Sequence, residues 1–233
     1  MIAACTGLDQ LAHALESLTA LPFNRRPAPE HPKLRPAYQG SNPISAIWAS
    51  RAIEMISKNL VRVIEDPSDS EARGEVLLAA TYAGIGFGNG GVHLAHGMSY
   101  PVSGMVRGYV PEGYPPGQPL VPHGMAVVLN APAVFKFTAP ANPELHLYAA
   151  KLMGKDVSDA APEDAGTILS DAIVALMQKV GMPNGLSAVG YGPGDVDKMV
   201  EATLPQHRVT KLSPRPAAAG DLKQLFLDSM VLW

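Results

Sequence analysis

Apolar residues recur three and four positions apart along most of this 233-residue chain, and no β-branched runs alternate with those stretches. Without strand patterns between the helices there is no series of βαβ units to pair into a sheet, so the spacing predicts an all-α fold in one domain over 1–233. The first helix is expected over Leu8–Thr19, where Leu8, Leu11, Ala12 and Leu15 share a stripe and Thr6 and Gly7 stand at its start as capping candidates. Further helices are expected at Ile44–Ile64, at Ser70 to about Ile85 with Ser70 as cap, and at Gly91–Tyr100, where Pro101 supplies a stop. Others are expected at Gly124–Phe137, Pro143–Met153, Pro162–Val180, Gly194–Thr203 and Ala219–Leu232. Six prolines between Pro22 and Pro43 fix φ and remove backbone donors, which makes positions 21–43 a long ordered loop.

Composition narrows the function. At 47% hydrophobic the chain can bury a sizeable core. The formal charge is −3 and no basic run exceeds Arg25-Arg26, which argues against nucleic acid or an anionic membrane surface as partner. Cys5 is the single cysteine, so an intramolecular disulfide framework is excluded and a reducing, intracellular setting is expected. No apolar run reaches the roughly 18 residues of a membrane span.

Two features invite a chemical reading. GFGNGG, with Gly86, Gly88 and Gly91, matches the dinucleotide-binding spacing, but the preceding VLLAATYAGI is helical in period and not a strand. A glycine-rich helix break or a close helix contact is favoured. Asp9 and His13 lie four apart and so share one helix face; alone, that pair is common on solvated faces. His96 and His123 each sit in apolar surroundings, and taken singly each is expected to be a satisfied core histidine. Taken together, one aspartate and three histidines from three separated segments are what a closed or nearly closed divalent-metal site requires, and no other cluster in the chain competes.

TGLDQLAHALES, GFGNGGVHLAHGMSYP and PLVPHGMAVVLNAPAVF resemble the metal-ligand segments of the iron-containing, group III alcohol dehydrogenase family. QGSNPIS, AGIGFGNGGVHLAHGMSYPVSG, LPQHRVTKLSP and the near-terminal LF-x-x-SM resemble its hydroxyacid-oxoacid transhydrogenase branch more narrowly, and the likeness spans essentially the whole chain. The resemblance implies the helical metal-binding domain of a dehydroquinate synthase-like fold, with Asp9, His13, His96 and His123 as ligands. It further implies His96, His123 and Tyr100 at the reacting centre. Tyr100 stands where many members carry another histidine, and a phenol titrating near about 10 is no easy proton shuttle at neutral pH. His93 is expected to pack behind the ligands. Asn89, His146 and His207 are expected in structural or solvent-facing roles, and Arg107 in a surface salt bridge, with a substrate carboxylate as its other use.

The implied chemistry is hydride transfer from a hydroxyacid, of the 3- or 4-hydroxybutyrate type, through bound NAD to a 2-oxoacid of the 2-oxoglutarate type. The implied metal is Fe(II) or Zn(II), which three imidazoles and a carboxylate suit almost equally. The family places NAD on an N-terminal α/β domain, and this sequence reads as the C-terminal helical half alone, so little activity is expected of it by itself. An alcohol dehydrogenase of other specificity and a non-catalytic helical domain are the alternatives, and a homo-oligomer is left open. The compartment implied is mitochondrial for a eukaryotic source and cytoplasmic for a bacterial one.

Overall fold

A computed structural model describes all 233 residues. They form helices joined by turns, with one isolated bridge between Pro22 and Ser41 in place of any strand. Helix α1 (Ile2–Thr19) is the spine: Leu8, Leu11, Leu15 and Leu18 are all buried, together with the small residues Ala4, Ala12 and Ala14. It starts earlier than its apolar stripe suggests, because Ala4 and Cys5 are small enough to bury without marking a period. Thr6 therefore caps nothing, and its hydroxyl donates back to the carbonyls of Ile2 and Ala3.

Helices α2 (Pro43–Glu65) and α3 (Ser70–Gly90) form a hairpin packed along α1. Asn42 caps α2 by accepting from the amides of Ile44 and Ser45, with Pro43 at the first helical position. Asp69, not Ser70, caps α3: its carboxylate accepts from Ala72 N at 2.9 Å. The helix then runs past Ile85 through three glycines, each worth about 1 kcal/mol less than alanine in a helix. Tertiary packing overrides that preference, since a Cβ on Gly86 would come within 3.2 Å of Ala49 N on α2. GFGNGG is thus a close helix contact. Gly91 ends the helix with φ 87°, a left-handed backbone suited to glycine, so the next helix begins three residues later than the sequence suggests.

That helix, α4 (Leu94–Gly104), also outruns the expected stop at Pro101. The chain is held helical beyond it by the bond from Met105 N to Pro101 O and by burial of Pro101 and Val102, whose carbonyl accepts from the Tyr191 hydroxyl at 2.5 Å. The single helix expected over 124–137 is two, α5 (His123–Val128) and α6 (Ala131–Thr138). Pro132 cannot donate to Val128, and the Asn130 side chain instead donates to Ala126 O at 2.7 Å. Helix α8 (Ala165–Lys179) packs against both α6 and α7 (Pro143–Leu152), while α9 (Val196–Thr203) and α11 (Ala219–Asp228) pack on each other beside α4. Between them α10 (His207–Thr210) is too short for any period to reveal.

Positions 21–43 connect α1 to α2. Two 3-10 turns, Phe23–Arg25 and Pro32–Leu34, lead to a segment tied onto the end of α3 by Gln39 N to Asn89 O and Gly40 N to Gly90 O. One contiguous apolar cluster runs from Ala4 to Met230. No helix is long and apolar enough to cross a membrane.

Candidate metal centre

Asp9, His13 and Glu16 follow one another on α1 at spacings of four and three, so the rise of the helix stacks them on one face. His13 Nδ1 donates to the Asp9 carbonyl at 2.8 Å, which puts the ring proton on Nδ1 and leaves Nε2 with a free lone pair. α4 brings His96 in its first turn. Its Nδ1 donates to the Glu16 carboxylate, and its Nε2 lies 3.6 Å from Asp9 Oδ1. At that separation the attraction is Coulombic and not a hydrogen bond. His123 opens α5, with Nε2 3.8 Å from Asp9 Oδ1. Gly124 makes that approach possible: a Cβ there would stand 2.0 Å from the Cys5 carbonyl oxygen and 2.7 Å from Asp9 Cβ.

Asp9, His13 and His96 each offer one donor atom, all within 4.8 Å of one another. Donors on a single ion at metal–ligand bonds of about 2.1 Å stand roughly 3.4 Å apart, so small side-chain shifts close the set. His123 belongs to the rim, reaching Asp9 with its side chain 46% exposed. Asp9 Oδ1 and His96 Nε2 are buried without a hydrogen-bond partner. Such atoms cost about 1–3 kcal/mol each when left alone; both are aimed at one space, which a cation would fill on displacing the proton that His96, raised to about 9, carries on Nε2. These residues fit a divalent ion of the Fe(II) or Zn(II) kind.

The residue absent from the sequence reading is Glu16. It is fully buried, accepts from Ala95 N at 2.7 Å and from His96 Nδ1, and lies 3.2 Å from His93 Nδ1. A carboxylate on the far nitrogen of a ligating histidine fixes its tautomer and orientation. Its signal was present as a third member of the Asp9-His13 face, seven residues from Asp9. Burial alone would raise the Glu16 carboxyl, but His93 and His96 outweigh it and hold the group at about 2. Burial would likewise lower His96, and Glu16 and Asp9 instead push it up to about 9. Burial also pushes Asp9 up, against which His96, His13 and His123 keep it below the ordinary carboxylate range. His13 and His123 are both lowered, chiefly by burial.

The other expected residues fall outside the donor set. His93 is buried behind it, with Nε2 donating to the Thr19 hydroxyl at 3.1 Å. Tyr100 lies parallel to His123, ring centroids 6.3 Å apart. His146 is a core residue bonded to Asn142 O and the Thr138 hydroxyl. Asn89 accepts from Asn42, His207 lines a surface cavity of about 310 Å³, and Arg107 pairs with Asp195.

Helices that bring a carboxylate and imidazoles to one buried point make this an all-helical domain with a candidate divalent-metal centre. The chain belongs to the Fe-containing alcohol dehydrogenase family, whose C-terminal part matches residues 37–230. It is 56% identical to the probable mitochondrial hydroxyacid-oxoacid transhydrogenase of Dictyostelium discoideum, over all of this chain and 43% of that protein. It is 51% identical to the mitochondrial hydroxyacid-oxoacid transhydrogenase of Homo sapiens, over all of this chain and 50% of that one. A solved 1,3-propanediol oxidoreductase, 25% identical, superimposes with a TM-score of 0.80 over 97% of this chain and 51% of its own. The chain thus spans about half the length of the curated relatives it matches.

Proposed function

We propose that this chain carries the metal-binding half of a hydroxyacid-oxoacid transhydrogenase, moving hydride from a 3- or 4-hydroxybutyrate type of acid, through bound NAD, to a 2-oxoacid of the 2-oxoglutarate type. The observation that carries the reading is the convergence of Asp9, His13 and His96 within 4.8 Å, with His123 at the rim. Those four side chains hold a divalent ion, which when bound supplies Lewis-acid polarisation of the substrate oxygen. Glu16 keeps the His96 proton on Nδ1, and the Asp9 carbonyl does the same for His13, so both present Nε2. Burial of Glu16 and His96 excludes water from the side facing the core, while half-exposed His123 and partly exposed Tyr100 border the side from which substrate enters. Tyr100 orients substrate there and does not relay protons. The nicotinamide contacts belong to the part of the relatives' length that this chain does not span. The identity of about half with relatives named mitochondrial supports that compartment for a eukaryotic source.

Two measurements test this. The purified chain binds one equivalent of Zn(II), or of Fe(II) without oxygen, and Asp9→Asn or His96→Ala abolishes stoichiometric binding; an unsubstituted chain that binds none refutes the centre. The whole protein containing this chain transfers deuterium from C4 of 4-hydroxybutyrate to C2 of 2-hydroxyglutarate without releasing NADH. Oxidation of alcohols without that transfer would favour an ordinary alcohol dehydrogenase.

A further inference from the structure

The mouth of the centre is a closed ring of side chains. His13 stacks on Phe87 with centroids 4.2 Å apart, and Phe87 meets Tyr38 edge-on at 6.5 Å. The Arg208 guanidinium lies over the Tyr38 ring, 5.5 Å from its centroid, and Nη2 donates to the Tyr100 hydroxyl at 3.4 Å. Tyr100 stacks on His123, and His123 and His13 both meet His96, at 5.4 and 4.4 Å. Six segments thus place seven side chains around the mouth: α1, α3, the proline-rich loop, α10 and α5 give one each, and α4 gives both His96 and Tyr100.

Six of the seven are aromatic rings; the exception is a cation. Arg51, Arg62 and Arg107 each lie against a carboxylate; Arg208, like Arg215 over Phe137, lies against none, and it alone of these borders the centre, with the Tyr38 ring and one long hydrogen bond to a phenol as its contacts. Aromatic faces hold a guanidinium in place without neutralising it, and four of its five N–H donors remain uncommitted, enough for a bidentate grip on a planar carboxylate. A centre that handled simple alcohols has no use for a fixed positive charge at its mouth. Arg107, the other candidate for this task, is neutralised by Asp195.

We propose that Arg208 binds the carboxylate of the hydroxyacid and oxoacid substrates, and so selects acids over neutral alcohols at this centre. The assignment rests on the metal-centred reading above, with Tyr38 and Tyr100 as the residues that position the guanidinium.

The test uses the full 233-residue chain loaded with Co(II), whose visible absorption reports ligands reaching the centre. It is titrated with 4-hydroxybutyrate and with 1,4-butanediol, which keeps the hydroxyl and lacks the carboxylate. The unsubstituted chain is expected to bind the acid more tightly than the diol. Arg208→Met weakens the acid by about tenfold or more, the scale of a charge-assisted bidentate contact, and leaves the diol unchanged. Arg208→Lys keeps the charge without the fork and gives an intermediate loss, which tests the idea even if the methionine variant folds poorly. Arg107→Gln changes neither ligand. Equal affinity for the acid in the unsubstituted chain and both Arg208 variants overturns the assignment while leaving the metal centre standing, as does parallel loss of acid and diol. An unsubstituted chain that takes up no Co(II), or whose spectrum 4-hydroxybutyrate does not move, overturns it from beneath.

Discussion

Replacing Glu16 by glutamine changes no volume and removes one charge, yet it reverses a proton. In the native site one carboxylate oxygen accepts from Ala95 N at 2.7 Å and the other accepts from His96 Nδ1. A glutamine has a single acceptor oxygen. The Ala95 amide is part of α4 and cannot turn away, so the amide oxygen stays with it and the NH2 faces His96. The ring must then accept at Nδ1 and carry its proton on Nε2, the atom that points at Asp9 Oδ1. The nitrogen meant for a cation becomes a donor. Loss of such an orienting partner lowers metal affinity by about 10–100-fold, or roughly 1.4–2.7 kcal/mol. Competition with a chromogenic chelator measures it, and far-UV circular dichroism checks that the fold survives. Unchanged Zn(II) affinity in a folded Glu16→Gln chain would show that Glu16 does not set the histidine's tautomer.

Gly124→Ala pushes a methyl group to 2.0 Å from Cys5 O, where contact normally begins near 3.4 Å, so α5 must retreat by about 1 Å and take His123 with it. Chemical denaturation is expected to show a loss of about 1–3 kcal/mol or more, and Zn(II) affinity falls; full stability would mean that α1 and α5 do not touch as described. Gly91→Ala forces a side chain into a left-handed backbone and to within 2.6 Å of Tyr38 Cβ, so thermal melting drops and 4-hydroxybutyrate affinity for the Co(II) chain falls as Tyr38 is displaced. Burial holds His146 at about 4, well below its ordinary 6.5, so the folded state resists protonation that the unfolded chain accepts. Its contribution is intact above pH 6.5 and is lost as pH falls toward 4, amounting to about 3 kcal/mol. Denaturant midpoints compared between the native chain and His146→Gln should converge at acid pH; parallel curves would refute it.

Much of this architecture is legible in the apolar spacing, because helices that bury one stripe write it into the sequence. α2, α7 and α8 fall where the period places them, within a few residues. The errors share a cause: local signals yield to packing. Glycines 84 to 90 stay helical because α2 and α1 come close to Gly86 and Gly90, and Pro101 is carried within α4 because its surroundings are core. The donor set was readable through a family likeness more than through chemistry, since each histidine alone looks like a core residue. Glu16 and Arg208 escaped for opposite reasons. A glutamate in an amphipathic helix reads as solvated until its burial is known, and Arg208 gains its meaning from Tyr38, 170 positions away in the chain, and from Tyr100.

Helix α1 is at once the spine of the core and the bearer of two donors together with the carboxylate that braces a third. Unfolding of α1 would dismantle the site and the core in one event. Ion and core are therefore expected to melt together: a calorimetric scan of the loaded chain should show one transition that climbs with ion concentration, with no early release at lower temperature.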